Sequence, residues 1–435
     1  MSKTPLTIAF LVSGSGNTFY CENCLRDCAA VKALRARGHD VILVPLYLPL
    51  FADEEALAGE TPVFFGGITV YLQQKFALFR KAPRWFDRLL NTRWILKWAA
   101  RKAGSTRAYG MGQMTMSMLE GTAGAQAKEV ARLADWLADL APDVIHFSNA
   151  LLLGAAPALK RRVPDAGIVC SLQDEDTWLD ALDPPYDQTC LAKVGELARQ
   201  CDAVVSVSPA YARQMGQRLA LAETTLRVVE PGLDVDRYPA GEPSQSPRRI
   251  GFLSRISEKL GAGILVEAFI QLAGEPGFED LEVVFGGGMT GDDTGFVRRL
   301  KKRLRKMKLE GRVQFAPGLT FEERLGLIKQ LTVMCVPMSQ GEAFGVFALE
   351  SLLCGVPVVQ PDAGGFRDLL RATGGGLLYD AESAAEPAAS LRRVLNDPRL
   401  CRQLGQTGRR KAADLYSSNR EAEKLEKVYR ETRTR

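Results

Sequence analysis

Two α/β halves, each a parallel sheet layered with helices, are what the sequence predicts, and three observations carry that prediction. The chain opens as strand, glycine loop, helix, strand, and the same alternation starts again near residue 249. Between the two runs lies a stretch rich in Pro, Gly and Ser, Pro231-Gly232 to Pro247, which is linker chemistry. At 435 residues, 46% hydrophobic and 25% charged, the chain is long enough for two separate cores.

The first half begins with a buried-strand pattern at Thr7 to Val12 and a glycine loop, Ser13-Gly14-Ser15-Gly16-Asn17. A helical pattern through Leu25, Ala29, Val31 and Leu34 stops at Gly38, and a second strand follows at Val41 to Leu46. This βαβ opening gives Gly14 and Gly16 phosphate-loop character; a tight turn is the other reading of a lone Gly-x-Gly. Further strands are expected at Val63 to Phe65, Ile68 to Tyr71, Val144 to Phe147, Gly167 to Leu172, Ala203 to Val207 and Arg227 to Val229, with helices between them, including Gly124 to Leu140. In the second half the strand candidates are Arg249 to Leu253, Leu281 to Phe285, Val313 to Phe315, Thr332 to Val336, Val356 to Val359 and Gly376 to Leu378. After Asp397-Pro398 the chain reads as a long polar helical tail with apolar positions at Leu404, Ala413, Leu415, Leu425, Val428 and Tyr429. Two such halves leave a cleft between facing strand ends, where small ligands bind.

Composition narrows the function. No uncharged stretch reaches the roughly 18 residues of a membrane span, and Met1 to Pro5 is too short for a secretory n-region, so a cytoplasmic protein is expected. Nine cysteines, an odd number scattered along the chain, fit reduced thiols. Cys21, Cys24 and Cys28 would share one helix face, but a metal or iron-sulfur site needs a fourth ligand of matching spacing. A net charge of +5 gives no case for nucleic acid. The charge is uneven: from Lys75 to Arg107 there are ten Lys or Arg residues against one acid, Asp87. Interleaved with Phe76, Phe79, Trp85, Phe86, Trp94 and Trp98, they mark 74–121 as an insertion that suits an anionic acceptor or an acidic membrane surface. A helical pair whose aromatics face the core is the alternative.

The most specific segment lies late in the chain. A strand-like run, Val333-Met334-Cys335-Val336-Pro337, opens into Ser339-Gln340-Gly341-Glu342-Ala343-Phe344-Gly345, and Glu350 follows eight residues after Glu342. That spacing sets one carboxylate in a glycine loop and the other two turns into the next helix. Amides at a helix N-terminus bind anions, and a carboxylate accepts from neighbouring diol hydroxyls. A ligand that is part phosphate and part polyol fits both, which describes a nucleotide-sugar. Glu350→Ala should weaken donor binding and leave folding nearly intact.

The stretch from Gly341 through Glu350 to Gly355-Val356-Pro357-Val358-Val359 resembles the donor-binding signature of the family 4 glycosyltransferases, retaining enzymes of glycosyltransferase group 1 type. The resemblance implies the GT-B fold: two Rossmann-like domains facing each other across a cleft, with a C-terminal helix returning to the N-terminal domain. It divides the chain into an acceptor-side domain (1–230), a linker (231–248), a nucleotide-sugar-binding domain (249–415) and the returning helix (416–435). It implies that Glu350 binds the ribose hydroxyls, that Glu342 approaches the transferred sugar, and that the amides of Ala343, Phe344, Gly345 and Val346 face sugar and phosphate. Gly251 to Gly261 looks like the segment whose Arg and Lys grip the donor diphosphate, here Arg255 and Lys259. Leu260 stands where the family has its Lys, so Lys259 is one position early. Gly286-Gly287-Gly288 resembles the glycine step below the nucleotide, with Gly287 the contact.

In the first half, Pro142-Asp143-Val144-Ile145-His146-Phe147-Ser148-Asn149 is similar to a strand-end segment of the family that points into the cleft. Of the two histidines, His39 sits in a structural turn, and His146 matches the buried one of the family's pair. Ser148 stands where the site-facing histidine would be. His146, Ser148 and Asn149, with Asp174 and Glu175 of Gln173-Asp174-Glu175-Asp176, are the candidates for contact with the sugar or acceptor. No metal and no resident cofactor are expected. The implied activity is hexosyl transfer from a nucleotide-sugar, UDP-linked, to an acceptor that the sequence does not identify. Localisation at the inner membrane face is compatible with the basic stretch. A nucleotide-sugar epimerase or hydrolase on the same fold, or a noncatalytic binding subunit, is the alternative.

Overall fold

A computed structural model describes residues 4–13, 22–46, 108–289 and 293–433. Chain contacts divide it into two units, one ending at Glu230 but regaining 419–433, the other spanning Pro231–Ser418.

Among the described residues the first unit holds a six-stranded parallel sheet in the order β2-β1-β3-β4-β5-β6. Its strands are β1 (Thr7–Val12), β2 (Asp40–Pro45), β3 (Val144–Phe147), β4 (Gly167–Leu172), β5 (Ala203–Ser206) and β6 (Leu226–Val228). Strands buried on both faces read as unbroken apolar runs, and β3, β4 and β5 are buried at every position. The crossover helices include Glu22–Ala36, Ala127–Leu140 and Tyr186–Ala198. One layer is supplied from the far end of the sequence: Ala422, Leu425, Val428 and Tyr429 of helix Ser418–Arg433 share a core with Ile8, Phe10, Val31 and Leu34.

The second unit has the order β12-β11-β10-β7-β8-β9, all parallel. These are β7 (Arg249–Leu253), β8 (Glu282–Gly286), β9 (Val313–Ala316), β10 (Val333–Met334), β11 (Val358–Pro361) and β12 (Gly376–Tyr379). Read from β9, this is the 3-2-1-4-5-6 order of a Rossmann-like sheet, in which the chain reverses direction of travel between the first strand and the fourth. Phe252, Phe269, Phe285, Phe347 and Phe366 are its largest fully buried side chains. Phe285 stacks on Phe315 with ring centroids 5.1 Å apart.

A polar device recurs where strands begin. The first N–H groups of a strand at the sheet's start have no ladder partner, and a buried amide must find one. Asp143, just before β3, accepts from Thr7 N at 2.8 Å; Asp202, before β5, accepts from Ile168 N at 2.8 Å; Asp280, before β8, accepts from Arg248 N at 3.0 Å. Thr332 does the same for Arg249 N at 2.9 Å.

Several expectations shift. The stretch 231–248, expected as a linker, groups with the second unit. Leu233 bridges to Ser417, Tyr238 is 3% exposed and Ser244 N bonds Leu331 O at 2.9 Å, so apolar burial and backbone pairing override its turn-rich composition. The polar tail after Asp397-Pro398 is two helices, Pro398–Leu415 and Ser418–Arg433, and the break at Tyr416-Ser417, where that bridge lies, falls next to the expected division at 415/416. The strand expected at Thr332 to Val336 shrinks to β10, and the helix expected from Gly124 starts at Ala127. Expected strands at Val63 to Phe65 and Ile68 to Tyr71 lie outside the described residues, as do Gly14, Gly16, Cys21 and the insertion up to residue 107. Residues 112–119 of that insertion form helix Gly112–Leu119.

Candidate functional site

In the second unit the reversal point falls between β7 and β10. The loops leaving these two strands carry Ser254–Gly261 and Pro337–Gly345. They meet at Gly261, where a Cβ would run into the Pro337 carbonyl. Helix Ala262–Ala273 begins at this contact, and the second loop leads on into helix Val346–Leu353, so each loop ends at a helix N-terminus.

Gly345 is the N-cap of helix Val346–Leu353, at φ +93. A Cβ there would sit 2.6 Å from the Phe366 ring and in a left-handed conformation, so glycine is required on two counts. Phe344 is buried and lies edge-on to Tyr416 at 5.5 Å; its side chain faces the core. Ala343 and Glu342 are half-buried, and the Glu342 carbonyl accepts from Gly365 N at 2.7 Å. Val346 is 4% exposed, so its part in any ligand contact falls to the backbone. Gly287 follows β8, and its amide donates to Ala316 O at 3.2 Å.

Arg255 is exposed at the end of β7, with its Nε 3.3 Å from Asp293 Oδ2. Lys259 is exposed on the same loop. An anion arriving at this loop would compete with Asp293, itself 6% exposed, for the guanidinium. A cavity of about 660 Å³ flanks the loop, lined by Ile264, Ala268, Pro337, Ser339, Pro361 and Tyr379 among others.

Glu350 departs from the sequence reading. It stands just over one turn into its helix instead of two, because the helix starts at Val346. Its side chain has no exposed surface. Oε1 accepts from Arg324 Nε and Nη2, both at 3.1 Å, and from the Tyr238 hydroxyl at 2.9 Å. Burial, then the adjacent carboxylate, push the Tyr238 hydroxyl pKa far up, which keeps it a donor. Arg324 is 5% exposed and its guanidinium lies 5.2 Å from the Phe321 ring. Neither Arg324 nor Asp293 was singled out from sequence. Arg324 shares the buried face of helix Phe321–Ile328 with Ile328, and a charge on an apolar face calls for a buried partner.

The first-unit candidates are mostly turned inward. His146 is 1% exposed, with Nδ1 2.5 Å from the Tyr429 hydroxyl, Nε2 2.8 Å from Ser171 Oγ, and its ring stacked on Phe10. Burial, reinforced by the Arg26 charge, lowers its pKa to about 3. Ser148 is 2% exposed; its hydroxyl bonds Asp27 and its carbonyl accepts from Gln173 Nε2. Glu175 is 1% exposed and accepts from Ala150 N at 2.9 Å, Gln173 N at 2.8 Å and the Tyr211 hydroxyl at 3.1 Å. Burial raises its pKa to about 7 against the pull of those amides. Only Asn149, whose side chain caps Leu151 N at 2.8 Å, and the exposed Asp174, which accepts from Asn23 at 2.9 Å, retain surface. The buried ion pair Arg26–Asp27, at 3.1 Å, was likewise not foreseen. Among the described residues no group of His, Cys, Asp and Glu side chains has the geometry of a metal site. No described helix is long and apolar enough to cross a membrane.

Two family models match the chain: "Glycosyl transferases group 1" over residues 236–411 and "Glycosyltransferase Family 4" over 119–237. A D-inositol 3-phosphate glycosyltransferase of Geodermatophilus obscurus is 29% identical over 245 residues, 54% of this chain and 53% of that protein. The namesake from Corynebacterium jeikeium is 30% identical over 218 residues, 47% of this chain and 52% of that protein. The chain thus spans about half the length of these curated relatives. Among solved structures, Anabaena HepE in complex with UDP and glucose gives a TM-score of 0.67 at 18% identity, covering 97% of this chain and 98% of that one. Sucrose-phosphate synthase from Thermosynechococcus elongatus gives 0.70 at 18% identity, with 98% of each chain covered. The fold shared with these structures is GT-B, two Rossmann-like domains.

Proposed function

From the premise that this chain belongs to the group 1, family 4 glycosyltransferases, we propose that it moves a sugar, with retention, from a UDP-sugar to an acceptor. The observation that carries the proposal is the reversal point itself: the loops leaving β7 and β10, which carry the exposed Arg255 and the half-buried Glu342 and lead into two helix N-termini, meet at Gly261 and Pro337. In the reaction the bond from the anomeric carbon to the β-phosphate oxygen breaks and a bond to the acceptor oxygen forms on the same face. The acceptor proton passes to the departing diphosphate. Arg255, with the amides of the 343–346 turn, stabilises the negative charge that grows there. Glu342 lies beside the transferred sugar, and Gly287 lets the backbone approach the nucleotide. No resident metal or cofactor enters this scheme.

Glu350 has a different part from the one the motif suggests. A carboxylate without exposed surface reaches a ribose only if its cover opens, so its first task is to anchor helix Val346–Leu353 on Tyr238 and Arg324. The relatives' name makes a phosphorylated cyclic polyol the first acceptor to assay. Calorimetric titration with a panel of nucleotide-sugars identifies the donor, and nucleotide release with and without acceptor tests the reaction. Acceptor-dependent release is expected. Acceptor-independent release would make the protein a hydrolase or epimerase, and absence of both release and binding would make it a noncatalytic subunit.

A further inference from the structure

Helix Asp293–Lys306 of the second unit, with the turn that follows it, carries a basic face that the transfer reaction does not use. Its inner side, Phe296, Val297, Leu300 and Leu304, is buried. The outer side presents Arg298, Arg299, Lys301, Lys302, Arg303, Arg305, Lys306 and Lys308, all exposed. Arg303 is paired with Glu267 at 2.9 Å, and Arg299 stands 3.5 Å from Glu258. Arg298, Lys301, Lys302, Arg305, Lys306 and Lys308 have no ion pair among the described residues. At 100° per residue the five of these that lie on the helix share an arc of roughly 140°, a single face. The acid of the helix, Asp293, sits at its first turn against Arg255. Like charges held this close repel one another, so an opposing anionic surface lowers the energy of the whole face.

The chemistry of the face selects among anionic partners. Met307 is 41% exposed at its C-terminal end, and from Arg298 to Lys308 no aromatic, Asn, Gln, Ser or Thr side chain is present. Single-stranded nucleic acid is bound by aromatic platforms, and base edges are read by side chains that both donate and accept. A helix face whose exposed charges from Arg298 to Lys308 are all cationic, with long apolar stems, one of them, Lys301, over the Phe315 ring, and an exposed methionine, instead fits a plane of lipid headgroups. We propose that this face docks on the surface of a bilayer containing acidic phospholipid. The inference stands apart from the transfer reaction, since vesicle binding is measured without donor or acceptor.

The test is cosedimentation of the full chain with phosphatidylcholine vesicles and with vesicles of roughly three parts phosphatidylserine to seven parts phosphatidylcholine. At an ionic strength of about 0.1 M the protein should partition onto the phosphatidylserine vesicles alone, and salt at about 1 M should release it. Reversing Arg298, Lys302, Arg305 and Lys306 to Glu should lower the partition by about 100-fold or more, and changing the same four to Gln should give an intermediate loss. Unchanged thermal midpoints verify the fold of both variants. Equal binding to both vesicle types, or a wild-type partition retained by the Glu variant, would overturn the proposal. So would competition by double-stranded DNA at lower charge concentration than phosphatidylserine, which would make the partner a nucleic acid.

Discussion

At the residue scale, burial decides what the ionisable side chains do. Glu350 and Arg324 are 0% and 5% exposed and satisfy each other, with Tyr238 as third partner. Removing one member of such a pair strands the other in a low-dielectric interior, which costs about 3–5 kcal/mol. Glu350→Ala should therefore lower the urea midpoint of the second unit, contrary to the expectation of an intact fold. The double variant Glu350→Leu with Arg324→Leu should recover most of the loss. A single variant as stable as wild type would show that the pair contributes nothing. Arg255, exposed at a strand end, is the opposite case: Arg255→Ala should reduce kcat more than it raises KM, and Lys259→Ala should have a smaller effect. Equal losses would give the displaced lysine the same duty. His146 and Glu175 make a further pair of tests, because burial moves them oppositely. His146 falls to about 3 from an unfolded value near 6.5. Its contribution is complete above about pH 6.5 and is lost as pH drops toward 3. Glu175 rises to about 7 from an unfolded value near 4.3. Its contribution is complete below about pH 4.3 and is lost as pH climbs through 7. Between these limits the slopes oppose each other, each worth about 1.4 kcal/mol per pH unit. Glu175→Gln should leave stability that keeps rising from pH 5 to about 6.5, and His146→Gln should leave stability that falls over the same range. Urea midpoints that follow the wild-type curve in both variants would contradict the burial argument.

At the element scale, the strands that were legible in advance are those with unbroken apolar runs. Thr7–Val12, Val144–Phe147, Gly167–Leu172 and Arg249–Leu253 have the boundaries read from sequence, because a strand covered on both faces reads as a nearly continuous apolar run, the buried exceptions His146 and Ser171 bonding each other. β10 is shorter than expected although Cys335 and Val336 are as apolar and buried as Val333 and Met334; Cys335 N still bonds Gly251 O at 2.8 Å, whereas Val336 N turns to the Gln360 side chain. In the stretch 231–248 composition signals turns but not the burial of Tyr238, whose partner Glu350 lies 112 residues away. The loop from Gly341 to Gly345 was legible through its motif. Its support was not: Arg324 carries no local signal beyond one charge on an apolar helix face. The aspartates before β3, β5 and β8 follow the same logic of unpaired strand amides. Asp202→Ala should cost about 1–3 kcal/mol by leaving the Ile168 amide without its acceptor, whereas Asp202→Asn, which keeps a carbonyl oxygen, should cost less. Equal urea midpoints for the two variants would show that the amide finds another partner.

At the scale of the whole molecule, the first unit is closed by the last helix in the sequence. Ala422, Leu425, Val428 and Tyr429 are buried in its core, the Tyr429 hydroxyl meets His146, and Glu426 accepts from Arg37 at 2.7 Å. A chain ending at residue 417 would expose those partners in the first unit and leave His146 Nδ1 without its bond. The second unit, which ends at Ser418, keeps its core, the Glu350–Arg324 pair and the loops at its reversal point. Burying a large apolar side chain contributes roughly 1.5–3 kcal/mol, so Leu425, Val428 and Tyr429 together contribute about 4.5–9 kcal/mol, comparable with the whole stability of a domain at about 5–15 kcal/mol. The truncated chain should therefore melt in two steps. The first unit should unfold at a much lower temperature than in the intact protein, with new binding of a hydrophobic dye. Titration of UDP at a temperature between the two steps should still give a binding isotherm within a few-fold of the intact chain's, since RT ln of a few-fold change is only about 1 kcal/mol. A single transition at the wild-type temperature would show that the helix contributes little to the first core. Loss of UDP binding with the second step intact would show that the donor site needs residues of the first unit.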